Sequence, residues 1–172
     1  MNRGFTLIES LVVISLLAIM TSLLVLYNRT GEKQLILIKE KAQIVSIILK
    51  AKNLSFGALV EDAGTEIVCG YGVYLEGRQY FIYRDLAGDC ALSDHRYTPD
   101  VDGILTNDSF TLPVALEFSE LEMNDILFQP PTPDIFFDGS LALAAKTIKL
   151  ADLERTIEAE IIINHAGQIN TN

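Results

Sequence analysis

Gly4-Phe5-Thr6-Leu7-Ile8-Glu9-Ser10-Leu11 opens an apolar run that continues to Leu26. Within residues 5–26 the only charged side chain is Glu9, and neither Pro nor Gly interrupts the run. Its twenty-two residues, at about 1.5 Å rise each, span roughly 33 Å, enough to cross a hydrocarbon core of about 30 Å. The stretch reads as a membrane helix. Glu9 is then the exception to be explained. A carboxylate near a bilayer centre costs on the order of 2.5–3.5 kcal/mol, so it either snorkels to the headgroups or meets a partner.

Length and charge bound the rest of the molecule. The chain has 172 residues and a formal net charge of −10, with the acidic side chains almost all beyond the apolar run. Once about thirty residues are set aside for leader and anchor, one domain of roughly 120–140 residues remains, large enough for a core of its own. A nucleic-acid partner is not expected, because no basic patch is present to neutralise phosphate. Arg3 precedes the run while Arg29, Lys33, Lys39 and Lys41 come after it, the reverse of the usual charge bias. A large domain translocates largely regardless of such counts. A cleavable secretory signal is disfavoured, because Leu26-Tyr27-Asn28-Arg29-Thr30-Gly31 holds no small-residue cleavage site.

Beyond the membrane exit, with Gly31 as its flexible point, a helical pattern resumes. Leu35, Ile38, Ala42, Val45 and Leu49 recur at steps of three and four, and Leu37, Ile44, Ile48 and Ala51 form a neighbouring stripe. Lys33, Lys39, Glu40, Lys41, Lys50 and Lys52 fall mostly elsewhere. One long helix from Phe5 to about Asn53 is expected, its second half packed on a sheet. A connector comes next, with Gly57 and Gly64 as breakers and Phe56, Leu59 and Val60 as apolar anchors.

Strand signals then take over. Residues 66–75 and 79–84 flank the turn Glu76-Gly77-Arg78 and read as a hairpin rich in Tyr and Val. Cys69 near its start and Cys90 just past its end read as a disulfide in an oxidising compartment, two buried free thiols being the alternative. Residues 85–108 read as a loop. Within it Asp100-Val101-Asp102-Gly103 echoes a calcium loop but lacks the ligand spacing and the closing Glu, so no metal is expected. Residues 110–118 suggest a strand interrupted by Pro113, hence near an edge. Short strands are expected around 126–128, 134–137 and 147–150. The alternation of Ile157, Ala159, Ile161 and Ile163 with polar neighbours is the clearest period-two pattern, ending at the turn Asn164-His165-Ala166-Gly167.

The opening motif, behind the short polar leader Met1-Asn2-Arg3, resembles the class III signal of type IV pilins and pseudopilins. That resemblance implies cleavage by a prepilin peptidase between Gly4 and Phe5, N-methylation of Phe5, and a role for Glu9 as the carboxylate that meets a neighbouring subunit's new amino terminus. The Tyr-rich hairpin, the Phe-Gln-Pro-Pro segment, the Phe-Asp-Gly turn and the final Asn-x-x-Gly-x-Ile are more diffusely similar to H-type minor pseudopilins of type II secretion systems, with relatives among minor pilins. The implied fold is α+β, a long helix backed by two antiparallel sheets. The implied division is a leader at 1–4, a membrane half at 5–27, an amphipathic half at 28–54 and an extracytoplasmic head at 55–172.

No active site is legible. His95 and His165 sit in loop and turn contexts, and neither a nucleophile elbow nor a phosphate loop appears. The chain reads as a substrate of prepilin peptidase rather than an enzyme, without cofactors. Its expected partners are other pilin or pseudopilin subunits and inner-membrane lipid, in a single-pass orientation. The alternative is a ligand-binding minor pilin acting in DNA uptake or adhesion.

Overall fold

A computed structural model of the chain describes residues 6–57, 62–63, 66–131 and 134–171. One helix, α1 (Leu7–Gly57), precedes the strands, and the chain divides into two compact units, Met1–Ile36 and Leu37–Asn172. The helix runs through Gly31 without a break and ends four residues later than expected.

In the second unit the packed face of α1 is not the leading stripe. Leu37, Ile44, Ile47, Ile48 and Ala51 are buried, whereas Ile38 is 58% and Leu49 43% exposed. In the first unit Leu35 is 68% exposed. The buried row also contains Glu40 and Ser55, polar residues that break an apolar pattern on paper. Both are satisfied by the sheet: the Tyr80 hydroxyl donates to Glu40 Oε1 at 2.6 Å, and the Ser55 hydroxyl donates to the Phe128 carbonyl. A buried polar group with its partner in place costs little, so these residues can sit on the inner face.

Eleven strands are present among the described residues, all paired antiparallel: β1 (Asp62–Ala63), β2 (Glu66–Glu76), β3 (Gln79–Ala87), β4 (Gly103–Thr111), β5 (Leu116–Leu121), β6 (Asp125–Gln129), β7 (Asp134–Phe137), β8 (Ser140–Leu141), β9 (Lys146–Asp152), β10 (Glu158–Ile163) and β11 (Ile169–Thr171). The larger sheet runs β4-β3-β2-β6-β7-β8 with β1 on β2, and the smaller runs β11-β10-β9-β5. The expected hairpin is β2–β3, closed at Gly77 with φ +60°. The expected alternation is β10, whose Ala159, Ile161 and Ile163 are buried.

Two expectations need correction. Of the expected loop 85–108, residues 85–87 complete strand β3 and residues 103–108 belong to strand β4. The polar composition of the latter fits an edge strand, exposed on one side and irregular where its pairing shifts between Phe81 and Tyr83. Residues 110–118 are not one interrupted strand. Pro113 separates β4, at one edge of the larger sheet, from β5, at one edge of the smaller. Lacking an N–H, proline suits such a crossing between edges. Tyr80 meets Phe118 of β5 edge-on at 6.5 Å, joining the two sheets. Of the expected connector anchors, Phe56 is 52% exposed, while Leu59 and Val60 lie outside the described residues.

Side chains directly opposite in an antiparallel pair share a face. Val73, Ile82 and Ile126 therefore line one face with Tyr80, which reaches the helix. Tyr74, Phe81, Tyr83, Asp85 and Asp125 line the other. Gly72 lies on that second face, and a Cβ there would stand 2.4 Å from the Tyr83 ring. The tyrosine crosses the strand because position 72 carries no side chain.

Candidate functional site

Two regions carry polar chemistry out of proportion to their surroundings, the start of α1 and the outer face of the larger sheet. The helix begins directly after Thr6. Thr6 Oγ1 accepts from the Glu9 N–H at 3.3 Å, and the Thr6 carbonyl accepts from the N–H groups of Glu9 at 3.1 Å and Ser10 at 3.2 Å. Thr6 is thus the cap, with Glu9 three positions into the helix, where its negative charge also complements the positive end of the helix dipole. Thr-x-x-Glu is the capping-box spacing, a local signal in the sequence that a search for distant partners of Glu9 misses. Gly4 and Phe5, the expected processing pair, lie outside the described residues.

Leu7–Leu24 is long and apolar enough to cross a membrane, and none of it is buried. Lipid offers no hydrogen bonds, so every polar group in such a span must be satisfied within it. Three of the four hydroxyls in the span comply. Ser15 Oγ donates to the Leu11 carbonyl at 2.5 Å, Thr21 Oγ1 to that of Leu17 at 2.6 Å, and Ser10 Oγ to that of Thr6 at 3.4 Å.

Residues 1–25 match the family described as the prokaryotic N-terminal methylation motif. These residues carry the amino-terminal signal of type IV pilin-like precursors. No curated protein and no solved structure matches it. The motif implies processing by prepilin peptidase and assembly with other pilin subunits. The family that carries this motif is structural rather than catalytic, and an apolar amino-terminal helix suggests membrane anchoring of the kind typical of pilins. The α+β arrangement of a long helix followed by antiparallel sheets is consistent with a pilin-like fold. The matched residues end before the first strand begins.

In the second unit, residues 88–102 form a strap over the outer face of the larger sheet. Cys90, at the start of a short 3-10 turn (Cys90–Leu92), is joined to Cys69 of β2 by a disulfide with a Cα–Cα distance of 5.2 Å. At the other end Asp102 accepts from the N–H groups of Leu86 at 2.9 Å and Thr98 at 2.6 Å. The stretch that echoes a calcium loop thus spends this carboxylate on turn hydrogen bonds. Between the two ends, Tyr97 packs its ring on Tyr74, Phe81 and Tyr83, with centroids 4.9 to 5.3 Å apart.

Two buried carboxyls of the sheet reach the strap. Asp85 Oδ2 accepts from the Ser93 hydroxyl at 2.6 Å. Asp125 Oδ1 accepts from the Tyr83 hydroxyl at 2.6 Å, and its Oδ2 from the Tyr97 N–H. Burial pushes Asp85 up to about 6 and Asp125 up to about 7, against the opposing pull of those hydrogen bonds. Burial likewise raises Tyr83 well above its ordinary value, reinforced by the Asp125 charge. His95 is more enclosed than its loop context implied: its side chain is 18% exposed, its ring lies 4.1 Å from that of Phe136, and its Nδ1 is 3.9 Å from Asp85 Oδ2. His165 stays in an exposed turn. Sequence reading missed both aspartates, although period-two counting from Phe81 through Tyr83 places Asp85 on the same face.

Proposed function

We propose that the chain is a structural subunit of an inner-membrane-rooted filament, a minor pseudopilin of H type in a type II secretion pseudopilus or the corresponding minor pilin of a type IV pilus. The observation that carries this reading is the fully uncovered apolar helix Leu7–Leu24, which lies within the methylation motif matched at residues 1–25. Such a surface is stable in lipid or against other helices, and withdrawal into a filament exchanges the first for the second. In this reading residues 1–4 are the leader, cut off between Gly4 and Phe5, and Phe5 is methylated. Residues 5–27 sit in the inner membrane, 28–54 continue as the amphipathic half, and 55–172 form an extracytoplasmic head. Glu9 meets the new amino terminus of an adjacent subunit and fixes the axial register. The acidic head disfavours nucleic acid as its ligand.

Glu9 also stands in the first turn of its own helix, at the capping-box position behind Thr6, so the test must separate two roles. Glu9→Gln keeps a side chain suited to the capping box and removes the charge, whereas Glu9→Leu removes both. Partner pilins are recovered by cross-linking from membranes carrying wild type or either variant. If charge sets the register, both variants are processed normally and both lose their partners. Recovery of partners by Glu9→Gln at the wild-type level would refute the inter-subunit role. A mature chain that does not begin at N-methyl-Phe5, by intact mass, would remove the filament reading altogether.

A further inference from the structure

We propose that the cleft between the strap and the end of β3 is a docking site for a partner protein segment that offers one aliphatic side chain between basic residues. The cleft holds about 280 Å³, and its apolar walls are Leu86, Ala87, Leu92 and Val101. Pockets that take a whole small ligand run from about 300 to about 1,000 Å³ and enclose most of it. A smaller, open cleft with aliphatic walls suits a single side chain, the apolar anchor around which a binding interface is built.

The polar residues that line the same cleft are already occupied. Ser93 Oγ donates to Asp85 at 2.6 Å. Asp94 accepts from the Arg96 N–H at 3.3 Å and from the Thr98 hydroxyl at 2.8 Å, and Asp102 accepts from the N–H groups of Leu86 and Thr98. These bonds shape the strap and leave the aliphatic groups to face an occupant. Leu92 is 83% and Val101 48% exposed. Aliphatic residues scattered singly over a surface need no explanation, but these two share one mouth. Leu92 is also held still. It closes the 3-10 turn Cys90–Leu92, which Asp89 caps through the Ala91 N–H at 3.0 Å and which the Cys69–Cys90 disulfide ties to β2. A contact side chain fixed in advance loses little further freedom on binding.

Charge decides what flanks the anchor. Residues 84–104 carry five aspartates against two basic residues, Arg84 and Arg96. Asp85 is buried, while Asp89, Asp94 and Asp100 are exposed, the last directly before Val101. Such a field draws basic flanks towards the cleft and repels anionic lipid, so a basic segment of protein is favoured over a membrane surface. The helix packs near the other end of β3, where Tyr80 meets Glu40. The cleft is therefore separate from the uncovered side of α1, and its use does not depend on the filament reading.

The full chain, held in nanodiscs of zwitterionic lipid, is tested for binding to an array of decapeptides that vary one central residue and the charge of its flanks. At low salt, a central Leu, Ile, Val or Met between lysines should bind about tenfold better than the same centre between glutamates or than Ser between lysines. Salt at about 0.5 M should erase the preference for basic flanks and keep the preference for an aliphatic centre. Leu92→Asp and Val101→Asp should each weaken binding about tenfold. Each adds a negative charge, so a loss must come from the aliphatic contact. Leu92→Ser repeats the measurement should either aspartate variant fail to fold. Wild-type binding by these variants, indifference to flank charge at low salt, or a preference for polar centres would overturn the proposal. So would binding to phosphatidylglycerol vesicles that the same variants lose while no peptide binds, which would assign the cleft to lipid.

Discussion

Tyr80→Phe removes one hydroxyl and leaves everything else about the residue in place. The ring stays stacked on Phe110 at 5.5 Å and edge-on to Phe118 at 6.5 Å, so the contacts between sheets survive. What is lost is the 2.6 Å hydrogen bond to Glu40, a carboxylate only 6% exposed on the inner face of α1. Hydrogen bonds to charged groups contribute about 1.5–3 kcal/mol, and a buried acceptor left without its donor incurs its desolvation cost in full. We expect a loss of about 2 kcal/mol. For a head of this size that corresponds to roughly 4–8 °C in Tm. The assay is thermal unfolding of the full chain in detergent, followed by the near-ultraviolet signal of the head tyrosines. The control is Tyr80→Phe/Glu40→Leu, which removes both partners and should be milder than Tyr80→Phe alone. A Tm for Tyr80→Phe within about 1 °C of wild type, or a double variant worse than the single, would refute the claim that this pair fixes the helix to the sheet.

The packing sets three further outcomes. Gly72→Ala places a methyl group 2.4 Å from the Tyr83 ring and should cost about 1–3 kcal/mol in urea unfolding, with Gly72→Ala/Tyr83→Leu recovering the overpacking part of the loss. Ile44→Ala, at a position with no exposure between helix and sheet, should cost about 2–5 kcal/mol, whereas Ile38→Ala on the uncovered side of the same helix should stay within about 0.5 kcal/mol. Cys69→Ser/Cys90→Ser opens a closure of 21 positions and should lose roughly 3 kcal/mol, read as a lower urea midpoint that matches reduced wild type.

The sequence spoke clearly where one local rule governs many residues. An uninterrupted apolar run gives a helix, the hairpin comes from its Gly turn, and Ala159, Ile161 and Ile163 announce their buried face by alternation alone. It spoke poorly where a distant partner decides. Glu40 and Ser55 obscured the buried stripe of α1, because their burial depends on Tyr80 and on the Phe128 carbonyl, some forty and seventy positions away. The first part of β4, residues 103–108, was hidden by polar residues that an edge tolerates. Asp85 looked like the start of a loop because a buried carboxyl is recognisable only once the strap that covers it is known. At the amino terminus the difficulty was different: Thr6-Leu7-Ile8-Glu9 carries a capping box and a methylation motif in the same letters, and the second drew attention from the first.

The back-bonded hydroxyls of α1 limit what its apolar span can tell a neighbour. Ser10, Ser15 and Thr21 have already donated their protons to carbonyls of their own helix. Apart from the hydroxyl of Ser22, the rod from Ser10 to Leu24 therefore presents shape and dispersion to another helix. Contacts of that kind are close to interchangeable when one chain slides past another by a turn. Such a span is suited to changing surroundings without re-forming hydrogen bonds, and ill suited to measuring position. Alignment between chains must then be encoded outside it.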